Sequence, residues 1–420
     1  MSNKRRWIEW GKDALIVLLT LSAVYLLTMT PLVQDSGVMD LLSPRESPGT
    51  GQPEGGREIV MLPARLAVTG EEGRYGVQYD EERLKELFPP LGALLGDALA
   101  SAGTPQPITE EAWRRYLSGT GVYFDFQGEV PLAVLKRWLQ GPGDASPSGS
   151  ARRVLLCAGA EDQVLLCWQE AGGGFFSCPT ALTRSLHLDP AAAGPAPNGA
   201  YFAFEGRELT RLLDPYTLIT GGEQDREGYD ASVPLTGGAG TAAVLEALDY
   251  SAQSHAPVSG GEVYLDGGDR LVVSANGTVT YRAAQPEKYP VGSGVAGGVD
   301  GAQALAERTL GALCGEARLY LMSAREAEGA VRVRFGYLLE GCAVYLGSEG
   351  WAGEFWISEG YITRFTLRFR SYAAGGERTL LLPVDKAAAM LPDLTAQRRE
   401  LVLQYRDGGG ESAVPGWVAV

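Results

Sequence analysis

Two short stretches hold the residues best suited to recognition chemistry. In "VRVRFGYLL" the apolar Val331, Val333, Phe335 and Tyr337 alternate with Arg332 and Arg334. In "YITRFTLRFR" Tyr361, Phe365, Leu367 and Phe369 alternate with Arg364, Arg368 and Arg370. A period of two sends the two sets to opposite faces of a strand. If both strands belong to one sheet, five arginines gather on one surface. A guanidinium is a planar fork that matches carboxylate or phosphate oxygens. These five therefore form a candidate partner-docking face for an acidic patch on a protein or an anionic cell-envelope polymer. The same pattern also describes an ordinary solvated sheet face, and the sequence leaves both readings open.

The residues for catalysis do not assemble in the same way. Only two histidines occur, His187 and His255, so zinc sites of the H-E-x-x-H kind and multi-histidine centres are excluded. There is no G-x-S-x-G elbow, S-x-x-K pair or P-loop. "GSGVAG" at 292–297 matches G-x-G-x-x-G in form, but "QPEKYPV" before it is no buried strand, so it reads as a loop entering a helix. "DGGD" at 266–269 reads as a tight turn. The five cysteines (Cys157, Cys167, Cys178, Cys314 and Cys342) are odd in number and irregular in spacing, which favours apolar filler over a disulfide framework. The expectation is a non-enzyme with no catalytic, metal or cofactor-binding residues.

These elements must be held somewhere, and the front of the chain says where. Residues 14–33 are twenty in a row without a charge. At about 1.5 Å per residue a helix of that length spans roughly 30 Å, a bilayer's hydrocarbon core. Lys4, Arg5, Arg6 and Lys12 precede the run, and Asp35 and Asp40 are the first charges after it. Basic flanks stay in the cytoplasm. The expected layout is a cytoplasmic tail (1–13), one transmembrane helix (14–33), a flexible linker (34–58) and an extracytoplasmic bulk in the cell membrane. Ser22 and Tyr25, three apart, form a polar face on the anchor that a neighbouring helix could meet. The formal charge is −15; four basic and two acidic residues give 1–33 a net +2, leaving −17 beyond. Nucleic acid is thereby excluded as a partner.

Beyond the linker the pattern is α+β. Residues 59–255 read as a mixed α/β ectodomain. They include a helix at "DEERLKELFPPLGALLGDALASA" interrupted by Pro89 and Pro90, and a second helix at "TEEAWRRYL" begun by Thr109. Residues 260–375 read as a helix plus an antiparallel sheet. Asn276-Gly277 marks a type I′ hairpin, and Asp300 caps "GAQALAERTLGALCG" with Gln303 completing the box. Residues 376–420 read as a shorter helix-plus-strands unit.

The tail, single span and later motifs "VRVRFGYLLEGCAVYL", "GYITRFTLRFRSY", "LLPVDKAAAML" and "LVLQYRDGGGESAVPGWVAV" together resemble the YycH/YycI family. The resemblance implies PepSY-like or β-lactamase-inhibitor-protein-like units. It also implies a membrane-anchored regulator of a WalK-type sensor histidine kinase linked to cell-wall metabolism, acting beside a paralogous regulator. The alternative is a PepSY-like inhibitor or chaperone-like module acting on a secreted envelope enzyme.

Overall fold

The computed structural model describes residues 62–420, apart from short stretches at 144–145, 171, 207–209, 211–212, 222–223, 237, 252, 254, 328, 348 and 391–398. The expected tail, span and linker, with Ser22 and Tyr25, lie outside the described residues. Among the described residues no helix is long and apolar enough to cross a membrane. Glu58–Val420 cluster as one compact unit of mixed α and β structure.

Its first sheet runs, side by side and antiparallel, through Gly73–Gln78, Arg65–Gly70, Gly121–Pro131, Ser150–Ala158, Gln163–Gln169, Phe175–Thr183 and Gln106–Ile108. Both faces are covered. Helix Glu81–Ala100 buries Leu84, Phe88, Leu91, Leu95 and Leu99 in a core with Leu66, Val68, Phe124, Phe126 and Val154. Each side chain buried this fully stabilises the fold by about 1.5–3 kcal/mol. On the other face helix Glu110–Ser118 inserts Trp113, stacked 5.4 Å from Phe175, in a cluster with Tyr123, Leu155, Phe202 and Tyr216. Thr109 caps that helix as expected, its hydroxyl accepting from the amide of Ala112 at 3.2 Å.

The long helix corrects one expectation. It runs unbroken through Pro89 and Pro90. An interior proline normally costs about 3 kcal/mol by deleting a backbone bond. Here both prolines are exposed, and so are Lys85 and Glu86, whose carbonyls lose their helical donors, so the missing bonds fall on the solvent side of the helix. The buried stripe on the opposite side outweighs what remains of the penalty.

The second sheet runs through His255–Val258, Gly261–Asp266, Asp269–Ser274, Thr278–Arg282, Tyr361–Arg368, Gly353–Ser358, Ala330–Leu339 and Arg318–Ala327, again antiparallel. One face is covered by helix Gly294–Ala306 and its π-turn continuation Glu307–Gly311. Val299, Ala302, Leu305 and Leu310 share a core with Val333, Phe355, Phe365 and Leu367. The helix begins two turns earlier than Asp300. Gly292 and Gly297 make this possible, because a Cβ on Gly297 would lie 2.3 Å from the Gly292 carbonyl carbon. Asp300 is thus no cap: its carboxylate takes Arg137 at 3.0 Å and the Trp138 indole N–H at 3.2 Å. The Ser274–Thr278 connection is a hairpin, but only Gly277 adopts a positive φ, so it is not the type I′ turn expected. The turn at 266–269 is tight as read, with Gly267 and Gly268 both left-handed and Asp266 opposite Asp269.

Strand Cys342–Leu346 pairs in parallel with Leu401–Asp407, which forms a hairpin with Ser412–Ala419. That hairpin meets Gln224–Ser232, itself paired along Ser371–Leu381. Hydrogen bonding therefore crosses the expected borders near 255 and 375. Among the described residues the two large sheets share one backbone bridge, the parallel pairing of Ser323 with Glu129. Beside it a Cβ on Gly128 would stand 2.1 Å from the Leu321 carbonyl oxygen. Gly128→Val should force this junction apart and cost about 1–3 kcal/mol. A urea titration checks it, and an unchanged midpoint would show that the bridge yields freely.

Candidate functional site

The uncovered face of the second sheet carries the arginines. Register places Arg270, Arg282, Arg364, Trp356, Arg332 and Arg325 directly opposite one another in a single row across six strands. At about 4.8 Å per strand the row is roughly 24 Å long. Trp356 lies at its centre between two guanidiniums, Arg364 at 4.3 Å and Arg332 at 5.0 Å from the ring centroid. In the next row Glu354 accepts from Arg332 at 2.6 Å and Arg334 at 2.7 Å. Burial alone would raise the Glu354 carboxyl, but the hydrogen bonds from Arg334 and Arg332 prevail and hold it below the ordinary range. Arg368 lies 3.6 Å over Trp351 and donates to that residue's carbonyl at 3.2 Å. Arg325 pairs with Glu129.

Four of the five sequence-singled arginines (Arg332, Arg334, Arg364 and Arg368) share this face; Arg370 does not. Strand Tyr361–Arg368 ends before it, so the alternation that put Arg370 with the others no longer applies. Arg370 turns inward, 7% exposed, and forms a two-pronged pair with Asp407 at 2.7 and 2.9 Å. Sequence reasoning missed Arg270, Arg282, Arg325 and Trp356. "DRLVV" and "VTYR" carry the same outward-arginine alternation, but which residues stand opposite one another depends on register, and no local signal gives that.

The row is unevenly neutralised. Arg332 and Arg325 have carboxylate partners, as does Arg334 in the next row. Arg270, Arg282 and Arg364 are exposed and take part in no ion pair among the described residues. Like charges directly opposite on neighbouring strands are destabilising. Three unpaired guanidiniums in register are therefore a cost that the fold bears.

A second charged cluster is built differently. Arg65, Asp125 and Glu400 are 1%, 0% and 6% exposed. Arg65 donates to Asp125 at 2.9 Å, to the Tyr79 hydroxyl at 2.7 Å, to the Leu401 carbonyl at 2.9 Å, and to Glu400. Arg152 reaches Asp125 at 2.9 Å and Glu400 at 2.7 Å, while Arg153 takes Asp214 at 2.9 Å and Glu400 at 3.3 Å. Three guanidiniums face three carboxylates, and every partner comes from the chain itself. The cluster fastens the C-terminal hairpin to the first sheet and has no charge left for a ligand.

The remaining chemistry-bearing residues are dispersed. His187 Nδ1 lies 3.0 Å from the Thr183 carbonyl oxygen, and His255 packs 5.6 Å from the Tyr264 ring. All five cysteines are buried thiols. The Cys157 and Cys167 sulfurs are 3.7 Å apart as diagonal neighbours, since Cys157 stands opposite Leu165 and Cys167 opposite Leu155. Burial pushes the Cys178 thiol up to about 11 and the Cys342 thiol up to about 12.

No protein-family model matches the sequence, and neither does any curated protein. Among solved structures, the crystal structure of YycH from Bacillus subtilis aligns with a TM-score of 0.54 at 10% identity, over 86% of this chain and 93% of that one. A crystal structure of an uncharacterized protein from Eubacterium rectale aligns over 48% of this chain and 78% of its own, with 12% identity and a TM-score of 0.32. At 10% identity the two sequences share little, but the architecture agrees over 86% of this chain and 93% of that one, and this chain has the fold of YycH.

Proposed function

We propose that this chain is a membrane-anchored, extracytoplasmic, non-enzymatic regulator that binds and modulates a sensor histidine kinase of a two-component system linked to cell-wall metabolism. The observation carrying the reading is the likeness to YycH over 86% of the chain. It agrees with the YycH/YycI resemblance of the sequence motifs, the apolar run at 14–33 and an acidic bulk that nucleic acid would repel. The span packs against the helices of the kinase, and the folded unit biases which kinase conformation is populated. Such coupling needs only about 1–3 kcal/mol of differential binding, a change of roughly 5- to 150-fold.

The test is crosslinking of the full-length chain in its own membrane, together with kinase autophosphorylation in reconstituted vesicles with and without the chain. The expected result is a crosslinked kinase and an autophosphorylation level shifted at least fivefold. A chain lacking residues 1–33 should lose most of that shift. Full activity without those residues, or capture of a secreted hydrolase in place of a kinase, would move the protein to the inhibitor class.

A further inference from the structure

We infer that the arginine–tryptophan row is a binding site for an acidic segment of a partner protein, seated across the strands of the second sheet with its carboxylates on Arg270, Arg282 and Arg364. The inference rests on the regulatory reading in taking the occupant to be a protein, and adds the chemistry of the partner.

Three observations choose this occupant. The first is charge. In a chain of net −15, three exposed guanidiniums stand in direct register and none of them takes part in an ion pair among the described residues. A line of anions would relieve that repulsion and fill the forks in pairs. The second is the graded neutralisation of the row. Glu354 and Glu129 fix the arginines at one end, Arg332 and Arg325, and leave the other end open. An anion is therefore directed to Arg270, Arg282 and Arg364, not spread over the whole sheet. The third is Trp356, half-buried with a guanidinium against its ring and placed where the open and occupied halves meet. Tryptophan and arginine are the side chains most enriched where proteins bind proteins, and an anionic polymer without apolar groups gains little from the indole. The row is straight and roughly 24 Å long, which matches about seven residues of extended chain at some 3.3 Å each. Leu265, 54% exposed and opposite Arg270, extends the face with an apolar step at its open end.

The test is a titration of the full-length chain in detergent with a fluorescein-labelled deca-glutamate peptide, read by anisotropy. Polyglycerol phosphate serves as competitor. Saturable binding is expected, weakening as salt rises. The R282Q/R364Q variant should raise Kd at least tenfold. R184Q/R378Q, which removes the same charge from exposed pairs elsewhere, should change it less than twofold. Because R282Q/R364Q relieves repulsion, its melting temperature should not fall, so weak binding cannot be ascribed to unfolding. Absence of saturable binding, or equal losses in the two variants, overturns the site. Binding of polyglycerol phosphate ten times tighter than the peptide replaces the protein segment with an envelope polymer and overturns the inference as stated. No kinase enters this titration, so it can fail while the regulatory reading stands, and the reverse.

Discussion

Asp125→Ala should remove about 3–5 kcal/mol of stability, the loss characteristic of a buried charge stripped of its partner. Asp125 is 0% exposed, and it accepts from Arg65 and Arg152 at 2.9 Å each. Without it the Arg65 guanidinium, 1% exposed, keeps Glu400 but loses the carboxylate opposite it in the sheet. The three positive charges then face only Glu400 and Asp214. Burial alone would lower the Arg65 pKa, but with Asp125 gone Tyr79 and Glu400 still favour the charged form, so Arg65 cannot answer by releasing a proton. The measurement is a urea titration, with hydrogen exchange on the 401–419 hairpin as the local probe. Exchange should quicken there first, because Glu400 is the hairpin's tie to the first sheet. A loss below about 1 kcal/mol would mean that water reaches the cluster and screens it.

The same cluster gives stability a pH dependence whose sign can be worked out. Burial alone would raise the Glu400 carboxyl, but Arg152, Arg65 and Arg153 outweigh it and hold the group well below the ordinary range. A carboxyl depressed in the folded state binds more protons when the chain unfolds, so its contribution is complete above the unfolded value, near 4.3. That contribution drains away as pH falls from about 5 towards the folded value. Acid unfolding of the wild type should show this slope. Glu400→Gln should be less stable at neutral pH and much less sensitive to acid between about pH 5 and 3.

How far the sequence carried the fold depends on the range over which each signal acts. Alternation in "VRVRFGYLL" and from Arg364 to Arg368 separated a buried face from an outward one, because period two is local and one face is covered by a helix, but a bulge ahead of Arg364 buries Ile362 in place of the expected Tyr361. The Thr109 cap was legible for the same reason. Pro89 and Pro90 misled, because local propensity knows nothing of a buried stripe on the far side of the helix. Asp300 misled because a glycine-rich start has no capping signature of its own. The row on the second sheet was half visible. Each arginine announced its face, but Arg270 and Arg364 are distant in sequence, and only strand order brings them to one line. The Arg65–Asp125–Glu400 cluster was invisible: its members are 60 and 335 residues apart, and nothing about a lone Arg65 marks it as buried.

Arg370 shows how a correct pattern can end one residue too soon, and it supports the second large effect. Asp407→Ala should also cost about 3–5 kcal/mol. The Asp407 carboxylate, in a residue 2% exposed, holds Arg370 through two bonds, the Tyr372 hydroxyl at 2.8 Å and the Gly409 amide at 2.8 Å. Removing it leaves the Tyr372 phenol without its acceptor and the Arg370 guanidinium with only the Gly410 carbonyl, in a buried site. The double change Arg370→Met with Asp407→Leu should recover most of the loss, since apolar side chains of similar volume commonly replace a buried ion pair at no net cost. Calorimetry on the two single variants and the double closes the cycle; additive losses would mean that the pair does not interact. This fork sits where the chain leaves Tyr361–Arg368 for Ser371–Leu381, so it fixes the end of the strand that presents Arg364 and Arg368. An arginine lost from the docking row to the interior thus serves the row all the same, by pinning the strand on which its neighbours stand.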